Sequence, residues 1–183
     1  MYNIVEDGVK IGKNFKIGSF CKLAKGTVIG DNVILNDYVS TTGACYIGDN
    51  TEIKAGTVIS RGVEIGKNCF IGVHVATGSS IPTKGKMVKV VTHIGNNVEI
   101  YSHVNIVPGI FIADGTIIGA ASNIIKNVFK SGLLVGNPAK LKWKHFDNYK
   151  KVEPNFSTWQ DNGFIRLYKD DPEFKHMMKG TVL

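Results

Sequence analysis

From Val5 onward the chain carries a large aliphatic residue at every sixth position. The series runs Val5, Ile11, Ile17, Leu23, Ile29, Leu35, Thr41, Ile47, Ile53, Ile59, Ile65, Ile71 and Thr77. It breaks there and resumes at Ile94, Ile100, Ile106, Ile112, Ile118 and Ile124. Of these 19 hexads, 17 open with Val, Leu or Ile, so the pattern holds through nearly the whole series. A period of six fits neither the 3.6 residues of an amphipathic helix nor the alternation of a single half-buried strand. It fits a solenoid of hexapeptides.

The other places in the hexad support this. The second is often Gly, as at Gly12, Gly30, Gly48, Gly66, Gly95 and Gly119. The fourth is Asn or Gly in 12 of the 19 hexads, which marks it as the corner, because these residues accept positive φ at least cost. The fifth is small or β-branched and fills the inside of the corner. Three hexads make a triangular coil, and coils stack at the strand spacing of ~4.8 Å. The expected fold is therefore all-β, a parallel β-helical prism over residues 1–130. An 11-residue loop, Thr83 to His93, should project from the fifth coil. Residues 131–183 read as a C-terminal extension, α-helical or irregular. It has a turn at Gly136-Asn137-Pro138, a short basic helix from Ala139, and apolar residues such as Phe156 and Trp159 that pack on the prism or on a neighbouring subunit.

At 183 residues this is one domain. No apolar run approaches the ~18 residues needed to cross a membrane. The opening Met1-Tyr2-Asn3-Ile4 has no basic segment followed by an apolar one, so a secretory signal is not expected and a cytoplasmic location is. Cys21, Cys45 and Cys69 all hold the fifth place of their hexads. Their spacing puts them in three different columns, as buried core residues rather than a disulfide or metal site. The net charge is +7, with seven lysines between Lys126 and Lys151, which suits a polyanion, a phosphorylated cofactor or a nucleotide-linked substrate.

Candidate chemistry follows from the register. His74 and His103 both hold the fourth place, on the third side of successive coils, so their imidazoles should be stacked neighbours beside Ser102 and Ala120. His is the natural general base near neutral pH. Either could equally be a turn residue, since His is enriched at positive φ. His93 ends the loop and is a third candidate. His145 and His176 in the tail read as surface residues.

The IGDN, IGKN and IGNN units and the block IGNNVEIYSHVNIVPGIFIADGTIIGAASNIIKNVFKSGLLVGNPAK, residues 94–140, resemble the hexapeptide-repeat acyltransferases, in particular the galactoside, maltose and sugar-nucleotide acetyltransferases. The resemblance implies that the β-helix is left-handed. It also implies a homotrimer with sites between subunits, acetyl-CoA as donor, and a sugar acceptor, with no membrane or nucleic-acid partner. It places the cofactor along Ser102, Gly119, Ala120, Ile125 and Lys126, with Lys140 near the phosphates. Small residues at Ala120 and Ala121 would let it lie close to the backbone. Two departures stand out. Pro82 stands where the galactoside and maltose enzymes carry a His, and Arg61 where a group of sugar acetyltransferases carries one. The base is therefore sought in His74 first, which lies closer to the expected thioester, and then in His103. No pyrophosphorylase or Rossmann-like segment is read in these 183 residues, so the bifunctional and two-domain relatives are not the expected match.

Two other classes use the same prism. A zinc carbonic anhydrase would need three His around a metal, here His74, His93 and His103. The chain lacks the close His pair those enzymes use, so no metal is expected. A non-catalytic binding prism would use the basic loop and tail. An acceptor bearing a nucleotide is favoured by Lys84, Lys86 and Lys89 in the loop. A simple glycoside or an antibiotic is the alternative.

Overall fold

The computed structural model describes residues 2–144. Short parallel strands, mostly two residues long, form the three walls of a left-handed β-helix. The first wall has seven strands, from Ile4–Val5 through Ser40–Thr41 and Ala76–Thr77 to Asn123–Ile124. The second has six, from Lys10–Ile11 to Phe111–Ile112, and the third begins at Lys16–Ile17 and has eight. Register follows the hexads: Ile47 pairs with Ile65, and Ile65 with Ile94 across the break. None of the described residues forms a helix long and apolar enough to cross a membrane.

The aliphatic first place points inward. Leu35, Ile53, Ile71, Ile100 and Ile118 are fully buried in one stack, and Ile47, Ile65, Ile94 and Ile112 in another. Each such side chain contributes roughly 1.5–3 kcal/mol by leaving water. Glycine at the second place lets coils approach. A Cβ at Gly48 would stand 2.5 Å from the carbonyl oxygen of Gly66. Cys21, Cys45 and Cys69 are buried free thiols, one at each corner of the prism. Burial pushes the Cys45 thiol up to about 12 and Cys69 to about 11.

The three corners differ in chemistry. The corner between the second and third walls is an asparagine ladder, Asn14, Asn32, Asn50, Asn68 and Asn97, all at positive φ. Successive amides donate to the next side-chain oxygen at 3.0–3.3 Å. The corner between the first and second walls uses Gly8, Gly26, Gly62 and Gly109. The corner between the third and first walls carries Phe20, Tyr38, Gly56, His74, His103 and Ala121, also at positive φ. A non-glycine residue in this conformation costs roughly 1–2 kcal/mol, with Asn tolerated best.

Two expectations are corrected. The excursion is a hairpin, Ser80–Thr83 paired antiparallel with Lys86–Lys89 and closed by Lys84 and Gly85 at positive φ. It leaves the prism before residue 83, and the chain is already back in the second wall at Thr92–Ile94. His93 is therefore a wall residue, because its backbone pairs with Glu64 below and Phe111 above.

The second correction is the basic helix from Ala139, which is a strand. Gly132–Val135 extends the third wall beyond residue 130, and Lys140–Lys144 returns antiparallel along it. An open wall edge offers unpaired backbone donors and acceptors, and this outweighs the helical preference of a short lysine-rich segment. The expected packing of Phe156 and Trp159, and the expected surface placement of His145 and His176, concern positions outside the described residues.

Candidate functional site

The corner between the third and first walls gathers the two leading histidines. His74 and His103 have ring centroids 5.3 Å apart with planes tilted by 42°. Both are exposed. Backbone hydrogen bonds fix the column: His74 N–H donates to the Ala55 carbonyl at 3.0 Å, and His103 N–H to that of Val73 at 2.8 Å. Gly56, one coil below, has a role that its neighbours show. A Cβ there would stand 2.6 Å from Nε2 and Cδ2 of His74, so the imidazole lies across the space a side chain would fill.

Above His103 the corner flattens. Ala121 N–H donates to the Ser102 carbonyl at 2.9 Å, and Ala120 and Ala121 are exposed with nothing beyond Cβ. Gly119 is half-buried against Val135, whose Cγ1 lies 2.6 Å from where a Cβ would be. Ile125, Lys126 and Lys140 line a cavity of about 550 Å³ at the C-terminal end of the prism, with Val128 and Leu134 behind them. The six expected cofactor residues thus fall into two groups. Ser102, Gly119 and Ala120 flank the histidine corner, and Ile125, Lys126 and Lys140 form the end cavity. A phosphorylated thioester fits this chemistry, since the alanines leave a ledge for a thin chain and the exposed lysines can balance phosphate charge.

His93 lies on a different wall. Its Nδ1 is 3.2 Å from Oε2 of Glu64, and its ring stacks on Phe111 at 5.2 Å and 10°. The His93 side chain is 13% exposed and that of Glu64 3%. His93 is therefore a packed residue, whereas His74 and His103 face solvent. The three histidines of the carbonic anhydrase reading do not converge in the protomer. Among the described residues, no three His, Cys, Asp or Glu side chains are placed to hold a metal.

Glu64, Phe20 and Tyr38 stand outside the candidate residues that the sequence marks. Glu64 stands at the sixth place, which faces outward, and nothing local marks it as buried. Phe20 and Tyr38 could have been found, because both break the Asn-or-Gly rule of the fourth place, as His74 and His103 do.

Comparison with known proteins agrees with this architecture. The bacterial transferase hexapeptide family model, of six repeats, matches residues 8–43 and 44–79. The bifunctional protein GlmU of Clostridium kluyveri is 31% identical over 141 residues, which cover 77% of this chain and 29% of GlmU. The chain thus spans less than a third of that relative. A probable macrolide acetyltransferase of Lysinibacillus sphaericus is 33% identical over 140 residues, 76% of this chain and 65% of the relative. Among solved structures, a galactoside acetyltransferase in complex with coenzyme A superimposes with a TM-score of 0.52 and 25% identity, covering 79% of this chain and 72% of the other.

Proposed function

We propose that this chain, which belongs to the hexapeptide-repeat family of bacterial transferases, moves an acetyl group from acetyl-CoA to an amine or hydroxyl of a sugar. The observation that carries this reading is the exposed His74–His103 pair, set on the corner that continues into the bare Ala120–Ala121 ledge. A nucleotide-linked amino-sugar is the favoured acceptor, on the strength of the basic hairpin and the net charge of +7. The reading carries with it a homotrimer whose sites lie in the clefts between subunits.

Acetyl-CoA supplies an activated acyl group and a good leaving thiolate. The protein has to position the acceptor and manage its proton. His74 takes that proton as the acceptor nitrogen or oxygen bonds to the acetyl carbon and the carbon–sulfur bond breaks. His103, one coil nearer the ledge, orients the thioester. Ser102 and Ala120 flank the donor chain, with Gly119 beneath. Lys126 and Lys140 hold phosphate charge, and Ile125 adds an apolar contact.

Thiol release from acetyl-CoA tests the proposal, with nucleotide-linked amino-sugars, simple glycosides and a chloramphenicol-type drug as acceptors. Turnover with the first class and not the others supports it. Full turnover by the His74→Ala variant removes His74 as the base.

The Glu64–His93 pair supports a second reading, in which His93 is the base, oriented by a buried carboxylate. Its packing against Phe111 favours a structural role instead. A His93→Gln variant that folds but loses all turnover would reverse this judgement.

A further inference from the structure

Phe20 and Tyr38 occupy the same corner column as His74 and His103, at φ 59° and 60°. Bulky aromatic residues rarely adopt this conformation. The molecule provides its own control. At the equivalent place the second corner uses Asn five times, and the first corner uses Gly at residues 8, 26, 62 and 109. Either would turn the chain here at lower cost. The rings are not retained for the core, because Phe20 is 56% and Tyr38 60% exposed. They stack face to face, with centroids 5.2 Å apart and planes within 9°. Backbone strain held at exposed side chains points to function.

Gly56 separates this pair from the histidines. It gives the column two ring pairs with a bare step between them, and the His74 imidazole leans into that step. Tyr38 is two coils from His74, about 9.6 Å at the strand spacing. That is too far for one sugar ring to touch both, but it suits a base and a reacting sugar joined through a phosphate linker. Lys54, two residues before Gly56 in the chain, has its ammonium paired with the Glu52 carboxylate and 5.7 Å from the Phe70 ring centre.

We infer that Phe20 and Tyr38 form a stacking platform for the nucleobase of a nucleotide-linked acceptor, whose linker crosses Gly56 and whose reactive group reaches His74. The inference deepens the transferase reading and rests on it for the role of His74. Every nucleobase has a π face, so the platform reads the presence of a base more than its identity.

The test is equilibrium binding to the full chain, with UMP, dTMP and GMP as probes and ribose 5-phosphate as the base-free control. Because it needs no acyl transfer, it can fail or succeed independently of the transferase assay. Variants are Tyr38→Asn, Tyr38→Phe and Phe20→Asn. Asn suits this backbone, so the Asn variants should fold at least as well as the parent. We expect the nucleotides to bind and ribose 5-phosphate to bind at least tenfold more weakly. Tyr38→Asn should lose about tenfold or more in nucleotide affinity, and Tyr38→Phe should keep it. Equal binding of ribose 5-phosphate, or nucleotide affinity within twofold in Tyr38→Asn, overturns the inference. So does a change from trimer to monomer in the Asn variants by sedimentation, which would make the rings a subunit contact.

Discussion

His74 and His103 are 29 positions apart in the chain, yet their imidazoles sit 5.3 Å apart on adjacent coils. Eighteen of those positions are one turn of the prism, and the other 11 are the hairpin excursion and its return. The pairing is made by the backbone, since Ala76 pairs with Asn105 and Thr77 with Ile106 just beyond the corner. The two side chains should therefore be separable by mutation without loss of fold. His74→Asn and His103→Asn, which suit positive φ, should leave the melting temperature within a few degrees of the parent. Turnover should fall by about 10²–10⁴ for the residue that acts as base. Loss in His103→Asn with near-full turnover in His74→Asn would exchange the roles assigned here.

Gly56→Ala should harm the site more than the fold. A methyl group there would lie 2.6 Å from the His74 ring, at a φ of 69° that L-residues disfavour. The conformational cost is roughly 1–2 kcal/mol. The displaced imidazole should show as a shifted His74 NMR resonance and reduced kcat. An unchanged His74 signal would mean the ring does not depend on Gly56.

Glu64→Ala should destabilise the prism, because it removes a buried acceptor facing His93 on the second wall. The expected loss is about 1–3 kcal/mol in urea unfolding, and Glu64→Gln should recover part of it. Equal stability of the Ala variant and the parent would show that the pair contributes little.

The cysteines predict a pH dependence. The ordinary thiol value is 9.0, and burial raises Cys45 to about 12 and Cys69 to about 11 in the folded state. A group raised on folding favours the native state below its unfolded value, and that contribution is lost as pH rises toward the folded value. Stability should accordingly fall between about pH 9 and pH 12. At pH 8, iodoacetamide should label Cys45 and Cys69 only after unfolding. Rapid labelling of either in the native protein would contradict their burial.

Lys140→Ala and Lys126→Ala should each raise the KM for acetyl-CoA several-fold, with kcat little changed, as expected for phosphate contacts remote from the reacting atoms. A change in kcat alone would place these lysines nearer the chemistry.

What the sequence alone determined is everything that repeats. The hexad is a covalent period, and burying one aliphatic residue in six requires three walls, three corners and a constant register. The inward stacks, the three separate cysteine columns and the His74–His103 neighbourhood all follow from counting. Tertiary structure decided what the period does not govern. His93 belongs to a wall because it registers between Glu64 and Phe111 and its N–H donates to the Ile110 carbonyl, and Glu64 is buried at its outward place with the His93 ring of the next coil against its carboxylate. Lys140–Lys144 is a strand because Gly132–Val135 left an open edge within reach. The resemblance of Phe20 and Tyr38 to the histidines was visible as a break in the fourth-place rule. Their meaning needed the folded corner, where residues 18 apart become stacked rings and a glycine becomes the gap between them.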